Sequence, residues 1–202
     1  MRILLFTVIV LLMPMFAIAK PSTIVVFGDS ISAGYGIEVQ EGWVALLNKK
    51  LIETNSNYII SNASISGETT AGGLARIDQV LTTQKPAIML LQLGANDGLR
   101  GLSPVVMKNN LADMVRRSQK SGAKVILLAM KIPPNYGKRY IDMFYNVYPE
   151  LSKELAIPMV PFLIEDVALD KELMQADRLH PNAKAQPILA DKIKPYLIPL
   201  LK

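Results

Sequence analysis

The sequence predicts an α/β protein: a parallel β-sheet covered on both faces by helices, forming a three-layer α/β/α sandwich in one domain. Three observations carry the prediction. Strand-like runs alternate with helix-like segments from residue 23 onward. The third and fourth runs, residues 87–93 and 124–130, are almost continuously apolar, as strands covered on both faces are. The first run, Ile24-Val25-Val26-Phe27, stops at Gly28, and Asp29 and Ser30 follow at once. Polar residues therefore begin where a strand ends, the edge at which open α/β sheets collect ligand-facing groups.

The elements follow in order. Strands are expected at residues 23–27, 58–61, 87–93, 124–130 and 158–162. Between them the period becomes helical. Trp43, Leu46, Leu47 and Leu51 mark one helix face, and Leu74, Ile77 and Leu81 a second. Ser103-Pro104 supplies a cap and a first-turn proline for a third helix. Met107, Leu111, Met114 and Val115 form its apolar face, with Arg116, Arg117 and Lys120 near its end and Gly122 as its stop. Tyr140, Phe144, Val147, Tyr148, Leu151 and Leu155 mark a fourth, which Pro149 is expected to kink or interrupt. The last helix is expected to begin near Ala185 to Pro187, with Pro195 and Pro199 limiting its regularity.

The start of the chain reads differently. Arg2 precedes an apolar stretch that ends in Ala17-Ile18-Ala19, the small-x-small form of a cleavage site. The stretch is short for a bilayer span, contains Pro14 and lacks a basic stop. Residues 1–19 are thus expected to be a signal peptide and residues 20–202 a single domain, periplasmic or secreted, with no stable membrane insertion after cleavage.

Composition excludes several function classes. The chain of 202 residues has 22 basic and 17 acidic side chains, and the excess is spread as isolated pairs such as Lys49-Lys50 and Lys138-Arg139. Nucleic-acid binders show a clustered basic stripe, so no nucleic-acid partner is expected. With no cysteine and one histidine, a thiol nucleophile, thiolate metal sites and multi-histidine metal centres drop out, and no metal or organic cofactor is expected. No G-x-S-x-G elbow, phosphate-cradling loop or H-E-x-x-H is present.

The remaining chemistry lies in four loops. Ser30 follows the first strand; Asp29 and Ser30 there either serve as a nucleophile site or merely cap a helix. The loop after the second strand carries Gly67, where a backbone N–H can approach a ligand closely. The loop after the third carries Asn96, an amide able to donate to an oxyanion, and Asp97, which reads as loop structure. The single histidine, His180, stands three residues after Asp177, close enough for one turn to join carboxylate and imidazole. Pro181 keeps His180 out of a helix. Taken alone, the Ser30 turn reads more readily as a helix cap and the Asp177/His180 pair as a surface turn.

Together, Gly28-Asp29-Ser30, Gly67, Gly94-x-Asn96-Asp97 and Asp177-x-x-His180-Pro181 resemble, in this order, the sequence blocks of the SGNH (GDSL) hydrolase family. The resemblance runs from about Thr23 to the C-terminus. It implies a flavodoxin-like sandwich with a five-stranded parallel sheet of order 2-1-3-4-5. It also implies catalytic Ser30, Asp177 and His180, an oxyanion hole of Ser30, Gly67 and Asn96, and hydrolysis of acyl esters, thioesters or lysophospholipids by a monomeric enzyme. The loops at residues 98–103 and 132–138 follow strand ends, so Gly98, Leu99, Pro134 and Tyr136 are expected to border the acyl groove, with Gly98 and Gly101 giving the first loop freedom to move. Two alternatives keep the same crevice: a carbohydrate O-acetylesterase, or an acyl- or glycan-binding protein without turnover.

Overall fold

The run of β-branched and aromatic residues at 24–27 forms β1 (Ser22–Gly28), wholly buried from Ile24 to Phe27. In the computed structural model, which describes residues 21–54 and 56–201, β1 lies inside a five-stranded parallel sheet. The other strands are β2 (Tyr58–Asn62), β3 (Ile88–Gln92), β4 (Lys124–Leu128) and β5 (Met159–Val160), in the order β2-β1-β3-β4-β5. The expected signal peptide, residues 1–19, lies outside the described residues.

Short α1 (Ser30–Ala33) follows β1 directly. The long helices are α2 (Trp43–Glu53), α3 (Thr70–Gln84), α5 (Pro104–Lys120), α6 (Lys138–Glu154) and α7 (Gln186–Leu197), with α4 (Ala95–Leu99) a single turn after β3. Helices α2 and α7 pack together, as do α3 with α5 and α5 with α6, which makes the two outer layers. Sheet residues such as Val26, Leu90 and Leu127 are sealed between them, so β3 and β4 need apolar side chains on both faces.

Three local expectations are corrected. Helix α6 runs uninterrupted through Pro149. The proline lies on the exposed side, where solvent can satisfy the carbonyl it leaves unbonded, while Phe144, Val147, Tyr148 and Leu151 bury the helix on both flanks. Ser103 occupies the N-cap of α5 but its side chain makes no capping hydrogen bond. Strand β5 shrinks to two residues because Pro161 has no N–H to extend the ladder. The backbone resumes with Leu163 N donating to Ala129 O at 2.9 Å.

Register sets the site. Val26 pairs with Leu90 and Gly28 with Gln92, so β1 and β3 end level. The turns that follow, with Ser30 on α1 and Asn96 on α4, rise from the same rim of the sheet.

Candidate active site

Asp29 caps α1: its Oδ1 accepts the Ile31 N–H at 3.0 Å. The capping alternative and the nucleophile reading are therefore compatible, because the cap presents Ser30 as the first helical residue. Asp29 is fully buried. Gln92 Nε2 donates to its Oδ1 at 2.9 Å, and Gln92 Oε1 accepts from Ser32 Oγ at 2.6 Å. Oδ2 has no partner among the described residues. Burial pushes the Asp29 carboxyl up to about 6, against the opposing hydrogen bonds from Gln92 and Ile31.

Ser30 Oγ lies 2.8 Å from His180 Nε2, across 150 residues of sequence. His180 Nδ1 lies 2.6 Å from Asp177 Oδ2. With a carboxylate as its partner, Nδ1 carries the proton and Nε2 is free to accept the Ser30 hydroxyl proton. Asp177 Oδ1 accepts the backbone N–H groups of Leu179 at 2.9 Å and His180 at 3.1 Å. Burial pushes the Asp177 carboxyl up, but these two bonds and the one from the imidazole outweigh it, leaving the group below the ordinary carboxylate range.

The Gly67 loop is tied to this rim by Ala63 N to Val26 O at 2.8 Å and Ile65 N to Gly28 O at 2.9 Å. Gly67 adopts φ 79°, a conformation that favours glycine, and its α-carbon faces open space. Arg100 donates to Gly67 O at 3.0 Å, fixing the orientation of that peptide. Neither Ser30 N–H nor Gly67 N–H has a protein acceptor among the described residues. Asn96 Nδ2 donates to Glu68 O at 3.0 Å, which leaves its second amide hydrogen for a ligand. The Glu68 carboxylate is held by Arg76, whose guanidinium lies 4.0 Å from the centroid of the Phe27 ring. Asp97, read as loop structure, is buried and accepts from Thr70 N at 2.8 Å and Thr70 Oγ1 at 2.6 Å. It locks the start of α3 to α4.

Beside Ser30 and His180 opens a cavity of about 480 Å³, whose apolar wall includes Leu99, Ile132, Pro134, Phe162, Ile164 and Met174. Leu99 and Pro134, expected at the acyl groove, line this cavity. Gly98 and Tyr136 do not line the cavity; they back its wall. Tyr136 donates its hydroxyl to Leu99 O at 2.7 Å. Gly98 is buried inside α4, where an added Cβ would come within 2.6 Å of Ile132 and 2.7 Å of Phe144. It is a close-packing glycine, the residue that lets α4 approach Ile132 and Phe144. Sequence reasoning missed the wall contributed by residues 162–174, which carry no helical or strand period.

The site combines a hydroxyl, an imidazole with a carboxylate behind it and the Asn96 amide, with Ser30, Asn96 and His180 lining an apolar cavity. Among the described residues no group of three or more His, Cys, Asp or Glu side chains is arranged to hold a metal ion. That chemistry is the chemistry of acyl transfer.

Comparison with known proteins points the same way. Residues 26–187 match the GDSL-like Lipase/Acylhydrolase family. The chain is 47% identical to Esterase TesA of Pseudomonas aeruginosa over 91% of each chain. It is 40% identical to Thioesterase 1/protease 1/lysophospholipase L1 of Escherichia coli over 92% of this chain and 88% of that one. Among solved structures, TesA superposes with a TM-score of 0.87, covering 89% of this chain and 100% of the other. The psychrotrophic esterase EstA from Pseudoalteromonas, in a structure inhibited by monoethylphosphonate, superposes with a TM-score of 0.85 at 42% identity, covering 88% and 97%. On family match, identity and fold, this chain belongs to the GDSL-like lipase/acylhydrolase family.

Proposed function

We propose that this chain is a serine esterase that cleaves acyl esters and thioesters through an acyl-enzyme on Ser30. The observation that carries the reading is the continuous hydrogen-bonded line from Ser30 Oγ through His180 to Asp177, set beside an apolar cavity. His180 Nε2 takes the Ser30 proton as Oγ attacks the carbonyl carbon. The negative charge that develops on the carbonyl oxygen faces the N–H groups of Ser30 and Gly67 and the Asn96 amide. His180 then gives its proton to the leaving alcohol or thiol as the bond to it breaks. Water repeats the sequence on the acyl-enzyme, releasing the acid and restoring Ser30. Asp177 holds the imidazole tautomer throughout.

The cavity supports a medium or long acyl chain over acetyl, because an acetyl group would leave its apolar wall in contact with water. Its charged lining residues are Lys131, whose Nζ lies 3.3 Å from Glu165 Oε1, and Arg178, which has no carboxylate partner among the described residues. That charge pattern supports a leaving group bearing an anion, and lysophospholipids fit it better than neutral esters. Residues 1–19 act as an export signal in this reading, placing the enzyme in the periplasm or outside the cell, where it works as a monomer on substrates other than cytosolic thioesters. No helix among the described residues is long and apolar enough to cross a membrane.

The test is labelling of the purified protein with a fluorophosphonate, which reacts with activated serines, alongside turnover of acetyl and long-acyl aryl esters. Labelling and turnover both vanish in Ser30→Ala. A binding protein would show neither in the parent, and an acetylesterase would turn over only the short ester. Labelling that survives in Ser30→Ala would overturn the nucleophile.

A further inference from the structure

Tyr35 stands outside the hydrogen-bonded line yet rests against it. Its ring centroid is 4.7 Å from that of His180, with the planes inclined by 43°. Tyr35 is 53% exposed, and its hydroxyl makes no hydrogen bond among the described residues. Neither burial nor a polar contact of the phenol holds the ring there. The backbone does. Gly34 and Gly36 flank Tyr35 at φ 77° and 76°, and Tyr35 N donates to Ser30 O at 3.1 Å.

Gln175 completes the arrangement from the other side. Its Nε2 donates to Tyr35 O at 2.7 Å and to Pro181 O at 3.1 Å. Its backbone N–H donates to His180 O at 2.8 Å. A Cβ on Gly36 would lie 2.2 Å from Gln175 Oε1, so Gly36 is the residue that lets this amide approach. One side chain thus joins the loop after the nucleophile to the loop of the base.

We infer that Tyr35 and Gln175 are positioning residues for the general base: Gln175 fastens the Tyr35 loop across the His180 loop, and the aromatic face steadies the imidazole and stabilises the imidazolium formed when Ser30 gives up its proton. The inference rests on the acyl-transfer reading. An aromatic face within about 6 Å of a cation attracts it through the ring quadrupole. The imidazolium that the ring would stabilise forms as Ser30 gives up its proton, so the contact acts on turnover more than on ground-state binding. The phenol oxygen has no part in this, and phenylalanine can replace tyrosine.

The experiment measures kcat and KM of the mature enzyme on a short and a long aryl ester for Tyr35→Phe, Tyr35→Leu, Gln175→Ala and the Tyr35→Leu/Gln175→Ala pair. Leucine keeps apolar bulk over the imidazole and removes the π face. Tyr35→Phe is expected to stay within about threefold of the parent. Tyr35→Leu is expected to lose roughly tenfold in kcat on both esters with little change in KM. Gln175→Ala is expected to lose a similar factor, and the pair no more than the larger single loss, because both residues serve one contact. Three results would overturn the inference: a leucine variant as fast as the phenylalanine variant, a loss confined to KM on the long ester, or a pair whose losses multiply. Melting temperatures accompany each variant, and if Gln175→Ala does not fold the Tyr35 series decides alone. Failure of the underlying reading shows separately, as turnover that persists in Ser30→Ala.

Discussion

Asp29 and Asp177 each stand one step from the reacting pair, one beside the nucleophile and one behind the base, and the protein treats them in opposite ways. Asp29 is sealed at the end of β1 with one oxygen capping α1 and the other without a partner among the described residues, and its carboxyl is pushed up to about 6 by burial. Asp177 sits in a loop at the surface, both oxygens occupied by N–H donors, and its carboxyl is held below the usual range. A carboxylate that must answer an imidazolium needs its charge, and hydrogen bonds that favour the ionised form secure it. A carboxylate that only orients a helix start does so through one oxygen, and burial works against its charge. The two acids cannot be told apart by residue type, only by surroundings.

The largest expected effect breaks the Asp177 side. In Asp177→Asn one position beside His180 Nδ1 becomes an N–H donor, which favours the tautomer whose Nε2 carries the proton and cannot accept from Ser30. We expect kcat on an aryl ester to fall by about 10⁴-fold with folding intact. A loss of less than tenfold would remove Asp177 from the role assigned to it.

The Asp29 side is tested by stability. The folded-state value of about 6 lies above the ordinary 3.8, so the folded protein binds this proton more tightly than the unfolded chain. Asp29 therefore contributes stability below pH 3.8 that is lost as the pH rises through about 6, a change of about 3 kcal/mol. Asp177 has the reverse sign: its contribution is present above the unfolded value and lost as the pH falls through the folded one. Asp29→Asn keeps the oxygen that accepts from Ile31 and Gln92 and removes the buried charge. Urea unfolding of parent and variant from pH 4 to pH 8 should show the variant gaining on the parent by about 2 kcal/mol between pH 4 and 7. A difference that stays constant with pH would contradict the buried-charge account.

The same contrast explains what could be read from residue order. The apolar runs of β1, β3 and β4 and the helical periods of α2, α3 and α5 are local signals, and they placed the sheet and most of its covering helices. The four loops at strand ends were visible too, though Ser30 and His180, 150 residues apart, were joined only by their resemblance to a family pattern. What stayed hidden depends on register or on chain without periodicity. Gln92 reads as the polar end of an apolar strand, and only the pairing of Gly28 with Gln92 reveals it as the partner of Asp29. Gln175 and Tyr35 meet across 140 residues with no shared motif. Gly98 lies in α4 and Tyr136 in the turn before α6, and which side of a cavity wall a residue occupies is a matter of packing that spacing alone does not encode.

The smallest predicted effect sharpens the comparison at the backbone. The Asp29 turn has ordinary dihedrals, with φ −103° at Asp29. The Asp177 loop contains Arg178 at φ 57°, a left-handed conformation that costs a residue with a Cβ about 1–2 kcal/mol. Two other residues share the feature, Lys85 and Ala156, and both sit where long helices end, a place in which such a conformation is common. Arg178 ends no helix. Its conformation arises because Arg178 N donates to Gln175 O at 2.9 Å while Asp177 Oδ1 gathers the next two N–H groups, folding the loop tightly enough to aim His180 at Ser30. Glycine would adopt the same dihedrals without strain, at the cost of a more flexible unfolded chain. Arg178→Gly is therefore expected to raise stability by about 0.5–1 kcal/mol, or roughly 2 °C in melting temperature, whereas Arg178→Ala keeps the strain and gains nothing. Equal melting temperatures for the two variants would mean that the tight loop around Asp177 stores no strain at Arg178.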